Sequence, residues 1–394
     1  MSMTIGLAGK PNAGKSTFFK AATMADVEIA NYPFTTINAN KGVTYVRAEC
    51  PCVTRSKRCG HCVEGIRYVP IELIDVAGLV PDAHQGRGLG NTFLDDLRQA
   101  QAIIHVIDAS GGTDIEGNPV DIGDHDPLED IDFLNRELTM WIHSIIMRNW
   151  TKLSRKIQAE GLSIEHILAD QLAGAGVDEH HISRALNECK FDRNHLTKWT
   201  DDDIIQFCDV IRIMSKPMII AANKVDVAPP ENLSNLLALD QMVVSTSAAA
   251  ELVLRSASKG KAIKYEPGDN DFTILSGELS PAQKKGLESV RTLIQKMDGT
   301  GIQRCINRSV FELLDLIIVY PVEDEGKWTD KNDRMLPDAF LMKKGSTAHD
   351  LAYRVHSDIG DRFLYAVDAR TKMRLGEKHE LNDGDVVKIV STAK

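Results

Sequence analysis

The chain has 394 residues, enough for two or three domains with cores of their own. Its formal net charge of −10 argues against indiscriminate coating of nucleic acid, which takes many phosphate-facing cations, and leaves a local RNA-binding face open. No apolar run approaches the roughly 20 residues of a membrane span. The opening residues, MSMTIGLAG, lack the regions of a signal peptide, so a cytoplasmic protein without a membrane partner is expected.

Residues 4–8 (TIGLA) read as a short buried strand, and residues from 17 onward (TFFKAATMA) have helical spacing. Between them Gly9 to Ser16 spell GKPNAGKS, a glycine-spaced loop in the strand-to-helix context of a P-loop. Backbone N–H groups around Gly9, Asn12, Ala13, Gly14 and Thr17, with the helix N-terminus, would form a positive concavity for phosphate oxygens. Lys15 would reach the β- and γ-phosphates, and the Ser16 hydroxyl would ligate Mg²⁺. The loop NYPFTTI (31–37) offers Thr35 and Thr36. Thr36 is the candidate Mg²⁺ ligand that engages when a γ-phosphate is present.

AECPCVTRSKRCGHCVEG (48–65) follows, with Cys50, Cys52, Cys59 and Cys62 in a C-x-C-x6-C-x2-C pattern. Four thiolates could surround Zn²⁺, with His61 as a spare ligand; free surface thiols and redox chemistry are the alternatives. Arg55, Lys57 and Arg58 in the same loop suggest a projecting finger for a partner, RNA among the choices. IELIDVAGLV (71–80) is a strand ending in Asp75, which could hold Mg²⁺ through water. Gly78, three residues on, could sense the γ-phosphate through its amide. Lys15, Thr36 and Gly78 are thus the candidate catalytic groups. Leu79 stands where many such enzymes carry a glutamine that orients water, so unaided hydrolysis should be slow; His84, Gln85 and Arg87 are the nearby substitutes.

QAIIHVIDAS (101–110) reads as a core strand without obvious chemistry. About a hundred residues then separate it from the next core strand, too many for a loop. Asp126-Pro127 opens a helix by cap and proline, and Ile131, Leu134, Leu138, Ile142, Ile145 and Leu153 mark its stripe. Segments 163–172, 177–186 and 200–213 each begin with a capping residue, which predicts a helical insertion. His180 and His181 read as a helix start, and Trp141 and Trp150 as packing residues.

KPMIIAANKVD (216–226) ends a buried strand with Asn223-Lys224-Val225-Asp226. The Asp226 carboxylate, expected to be buried, can accept hydrogen bonds from guanine N1–H and the 2-amino group. Adenine offers neither donor and would leave a carboxylate unpaired. Asn223 would support the base's other edge, and the Lys224 stem its face. A last strand over 241–251 would bring a backbone N–H of Ser247 or Ala248 to guanine O6. A helix over 280–297, a strand near 313–322 and a small mixed unit over 336–394 complete the reading.

With GKPNAGKS, NYPFTTI, DVAGL, HQGRGLGN, NKVD and STSA, the chain resembles the Obg-like, YchF-type GTPases of the translation-factor class, in their archaeal-like branch. Residues 336–391 resemble a TGS domain. The resemblance implies an α/β fold: a P-loop NTPase G domain with a mostly parallel, doubly wound sheet, a helical insertion domain and a small β-grasp-like TGS domain. The expected boundaries are 1–125 with 216–305, 126–215, and 306–394. It also implies a GTP/GDP switch contacting ribosome or RNA, Mg²⁺ as cofactor, and K⁺ activation with Asn12 as a ligand; a bond from Asn12 to backbone is the alternative. A monomer is the expected state. Some members of that family prefer ATP with a substituted base-reading motif, whereas NKVD here is intact. A metal- or redox-responsive regulator, a nucleotide-dependent RNA-binding protein and an ATPase on the same scaffold are the competing readings.

Overall fold

The computed structural model describes residues 3–24, 40–76, 78, 96–193, 195–275 and 279–392. The described chain divides into two compact units. Of the described residues, one unit draws on those up to 24, on 40–42 and on those between 72 and 305, the other on 43–71 and 306–392.

The first unit is built on a mostly parallel sheet. Strands β1 (Thr4–Ala8), β2 (Lys41–Glu49), β3 (Cys62–Val63), β4 (Ile66–Asp75), β5 (Ala102–Asp108), β6 (Met218–Asn223) and β7 (Val243–Ser245) take the order β2-β4-β1-β5-β6-β7, with β3 antiparallel to β4. Residues 43–49 and 66–71 of this sheet, with β3, belong to the second unit. β1 pairs in parallel with β4 and β5, and β5 with β6. All five residues of β1 and all seven of β5 are buried, as largely apolar strands covered on both faces must be. The carboxyl ends of β1, β4, β5 and β6 therefore lie side by side, where open α/β sheets bind ligands.

Five helices fill the interval between β5 and β6: Pro127–Met147, Trp150–Glu160, Ile164–Leu172, Glu179–Cys189 and Asp201–Ser215. Their starts follow the sequence closely. Asp126 caps the first through Leu128 N–H, with Pro127 in its first turn. Ser163 caps the third, and Asp178 with His181, then Thr200 with Asp203, close reciprocal capping boxes on the fourth and fifth. The stripe Leu134, Leu138 and Ile142 joins the insertion core together with Ala8, Ile74 and Ile103 of the sheet, so helices and sheet share one apolar interior. Trp141 and Trp150 are buried there as packing residues.

The stretch after β6 departs from expectation. The strand expected over 241–251 stops at Ser245, and helix Ala248–Lys259 begins almost at once. Ser247 explains the switch, because its side chain caps that helix by accepting from Ala250 N–H. A short hairpin, β8 (Ile263–Lys264) with β9 (Thr273–Ile274), and helix Pro281–Met297 follow.

The second unit holds a sheet of β10 (Leu316–Val322), β11 (Phe340–Lys343), β12 (Phe363–Asp368), β13 (Arg374–Leu375) and β14 (Val386–Ser391) in the order β11-β10-β14-β12-β13. Helix Ala348–Val355 packs Leu351 against Val319, Ala366 and Val387 of this sheet. The excursion of residues 43–71 belongs to the same unit: Arg67 donates to the carbonyls of Leu336 and Pro337, both at 3.0 Å.

Phe207 tests the insertion core. It is 1% exposed, with its ring 5.5 Å from Trp199. Phe207→Ala is expected to cost about 3–5 kcal/mol, read as a lower urea midpoint by circular dichroism.

Candidate nucleotide-binding site

The loop after β1 is shaped by two glycines that no other residue could replace without strain. Gly9 has φ +144°, and an added Cβ would lie 2.3 Å from the Val106 carbonyl oxygen of β5. Gly14 has φ +99°, with the Asn223 amide nitrogen 2.3 Å from the same point. Gly14 is also the N-cap of α1 (Lys15–Thr23), so the helix start opens onto the loop.

Lys15 is buried and donates from Nζ to the Lys10 carbonyl at 2.8 Å. Burial pushes its ammonium down to about 8, with the Asp75 charge pulling the other way. Burial likewise raises the Asp75 carboxyl, opposed by the Ser16 hydrogen bond and by Lys15. Ser16 Oγ and Asp75 Oδ2 are 2.9 Å apart, which brings together two of the three expected Mg²⁺ ligands. A hydroxyl beside a carboxylate is a donor set suited to that hard cation. Thr36, the third, lies outside the described residues, as do Thr35, Leu79, His84, Gln85 and Arg87. Gly78 is described, and a Cβ there would lie 3.4 Å from Lys15 Nζ, so its backbone flanks the lysine.

Asn223 joins the phosphate end of the site to the end of β6. Its Nδ2 donates to the Ala13 carbonyl at 3.0 Å, and its Oδ1 accepts the Ala248 N–H at 3.0 Å. Lys224, at φ +63°, donates from Nζ to Asp108 Oδ2 at 2.7 Å. Asp226 Oδ1 accepts the Ser247 hydroxyl at 2.9 Å. Two expectations are corrected here. The Asp226 side chain is exposed, because the turn after β6 carries it clear of the sheet. The Ala248 N–H is donated to Asn223 and the Ser247 N–H to the Thr300 carbonyl, so in this arrangement neither is offered to a base.

Several residues of the site were not foreseen. Asp108 ends β5 fully buried and accepts from Ser110, Thr113 and Lys224. Burial raises its carboxyl, but the Lys224 hydrogen bond and charge and the two hydroxyls outweigh that and hold it below the usual range. The available signal was an aspartate closing a core strand, the same position Asp75 holds on β4. Lys10 is buried in the P-loop and pairs with Asp130 at 2.9 Å, and Asp130 also meets His125 at 2.8 Å. His105 on β5 is fully buried. Burial, with the Lys15 and Lys10 charges adding, pushes it down to about 3, which keeps the imidazole neutral. Asn12 Nδ2 donates to the Gly117 carbonyl at 3.0 Å, and Gly117 approaches so closely that a Cβ would meet Pro11 O at 2.6 Å. Asn12 thus braces the P-loop against the loop after β5.

A phosphate loop, a hydroxyl–carboxylate pair and an aspartate held by a serine at the next strand end form the layout of a P-loop GTPase. Family models agree. A 50S ribosome-binding GTPase model matches residues 4–142, an Obg-like GTPase YGR210-like, G4 motif-containing domain matches 221–324, and a TGS domain matches 333–391. A GTP-binding protein of Methanocaldococcus jannaschii is 49% identical over 99% of both chains. The chain belongs to the Obg-like, YchF-type GTPase family. The crystal structure of a GTP binding protein from Pyrococcus horikoshii is similar to this YchF-type chain at TM-score 0.79 and 41% identity, covering 99% of this chain and 100% of that one. A Bacillus subtilis relative named ribosome-binding ATPase YchF is 27% identical over 98% of both chains.

The buried lysine of this YchF-type site makes a pH prediction. Free Lys15 loses its proton near pH 8, whereas phosphate oxygens hold the ammonium charged. Nucleoside triphosphate affinity is therefore expected to be flat below about pH 7.5 and to fall by up to about tenfold per unit above 8. Calorimetry in buffers of different ionisation enthalpy should show proton uptake over that range.

Proposed function

We propose that this chain is a Mg²⁺-dependent switch that binds and hydrolyses GTP on the ribosome. The observation that carries the choice of base is the Asp226–Ser247 hydrogen bond. It aims one carboxylate from the loop that Asn223 ties to the P-loop. Guanine can donate two hydrogen bonds to that carboxylate, and adenine none. Each bond to a charged acceptor contributes about 1.5–3 kcal/mol, so the pair supports a preference of roughly a hundredfold or more. Asp226 is exposed, so the base itself must exclude water from the contact, which favours the lower end of that range. Lys224, anchored at its tip by Asp108, offers its aliphatic stem as a platform for the ring. The Bacillus subtilis relative carries an ATPase name, whereas the intact Asn223-Lys224-Val225-Asp226 of this chain favours guanine.

Ser16, Asp75 and Thr36 are the residues that would hold Mg²⁺, which when bound neutralises phosphate charge. Lys15, released from the Lys10 carbonyl, turns to the β- and γ-phosphates, and the Gly78 amide reports whether the γ-phosphate is present. Leu79 cannot orient water, so unaided turnover is slow and a partner is expected to raise it. The ribosome is supported as that partner by the relative's name, the matching 50S ribosome-binding GTPase model and the TGS domain.

Two experiments test the reading. Calorimetry should show GTP bound at least about thirtyfold more tightly than ATP. Asp226→Asn should reverse the order between GTP and xanthosine triphosphate, since the substitution exchanges an acceptor for a donor. ATP held as tightly as GTP sinks the base assignment. Independently, ribosome sedimentation should carry more protein down with a non-hydrolysable GTP analogue than with GDP, and equal absence in both sinks the ribosomal role.

A further inference from the structure

The four clustered cysteines are not among the residues assigned to the nucleotide above, and their geometry asks for an occupant. Cys50, Cys52 and Cys59 are buried and Cys62 is partly so, and all four are free thiols. Their sulfurs all lie within 4.8 Å of one another. Cys50 and Cys59 are 3.7 Å apart, Cys52 and Cys62 3.5 Å, and Cys59 and Cys62 3.6 Å. A disulfide requires about 2.05 Å, and two disulfides would need only two close pairs. Here a third short contact links the pairs into one group. A tetrahedron with Zn–S bonds of about 2.3 Å has sulfur–sulfur edges of about 3.8 Å, close to what the side chains show.

We propose that Cys50, Cys52, Cys59 and Cys62 hold one structural Zn²⁺ that braces the 43–71 excursion against the C-terminal sheet of its own unit. Binding converts up to four thiols to thiolates, releases their protons to solvent, and involves no electron transfer. The four protein ligands close the coordination shell, which makes the site structural and not catalytic. His61, the expected spare ligand, is not among the converging groups; instead its backbone N–H donates to Cys59 Sγ at 3.3 Å, a contact that strengthens when the sulfur is a thiolate. The Tyr320 hydroxyl of β10 is buried with no hydrogen-bond partner among the described residues. Burial raises its pKa.

The bracing follows from what the loop between the two cysteine pairs carries. Arg55 donates to the Gly326 carbonyl at 2.7 Å, with its guanidinium 4.8 Å from the centre of the Trp328 ring. Trp328 is buried and donates its indole N–H to Ala369 O at the end of β12. Closing Cys50 and Cys52 onto Cys59 and Cys62 fixes the turn that presents Arg55. The guanidinium and the nearby Lys57 and Arg58 also offset the net negative charge of a four-thiolate zinc centre.

The test uses the full chain purified under reducing conditions. Elemental analysis should find about one zinc per chain. A mercurial reagent added to the native protein should release that zinc stoichiometrically, as read by a metallochromic dye. Co²⁺ in its place should give the thiolate charge-transfer and tetrahedral ligand-field bands of a four-sulfur site. Chelation should lower the melting temperature of the wild-type chain by several degrees and leave a Cys59→Ser, Cys62→Ser variant unmoved. Less than about 0.2 zinc per chain, with none regained on adding Zn²⁺, overturns the site, as does stoichiometric iron or a pair of disulfides. A melting temperature indifferent to chelation in a zinc-loaded protein overturns the bracing role. None of these readouts depends on GTP turnover, so this proposal and the switch reading fail separately.

Discussion

The side chain of Asn223 is the joint on which the site depends. One amide group donates to the phosphate loop at Ala13 and accepts from the turn after β7 at Ala248, so two segments far apart in sequence are held in one register. Both hydrogen bonds are buried, where an unmatched partner costs about 1–3 kcal/mol, and Gly14 must lack a side chain for the amide to approach. From behind, Gly301 presses on the Ser245 carbonyl and Thr300 O accepts the Ser247 N–H, and Thr300 and Tyr265 both donate to the buried Glu251. The aspartate proposed to choose the purine thus stands on a rigid frame while its own carboxylate remains open to solvent.

Charge is organised around the same loop in layers. Lys15 and Asp75 shift in opposite directions because burial disfavours both ions, and each partly rescues the other. Lys10, deeper, is matched by Asp130 in the first turn of the insertion helix and donates to Thr113 O. Removing Asp130 would leave that ammonium uncompensated, the costly half of a buried pair. His105 stays neutral beneath both lysines, so the strand under the P-loop adds no further positive charge. The helical insertion is therefore bonded directly to the nucleotide loop as well as sharing a core with the sheet.

Legibility followed the range of the interactions. The helix starts at Asp126, Ser163 and Thr200 were readable because a cap is satisfied within three residues. The P-loop, Asp75 and the Asn223-Lys224-Val225-Asp226 turn were readable because each lies at or just past the end of a buried strand. The strand expected over 241–251 failed where Ser247 served a cap, a local cue outweighed in the reading by the apolar run before it. Asp108, Asp130, Gly117 and Thr300 were missed because their partners lie between 49 and 120 residues away, with no spacing rule to link them.

Residue order alone determined which residue types stand where the proposed chemistry needs them: a glycine-shaped phosphate loop, a hydroxyl and a carboxylate suited to a cation, an aspartate suited to a base, and four thiols in two short pairs. Each of these is a set of residue types recognisable at short spacing or at the end of an apolar run. Only the tertiary structure decided that Asn223 spans two loops, that Asp226 faces water, that the Ala248 amide is already taken, and that the four sulfurs converge. Those outcomes depend on which strand ends lie side by side and on which groups are left with a partner once the core has closed, and pairing across the fold has no signature in sequence spacing.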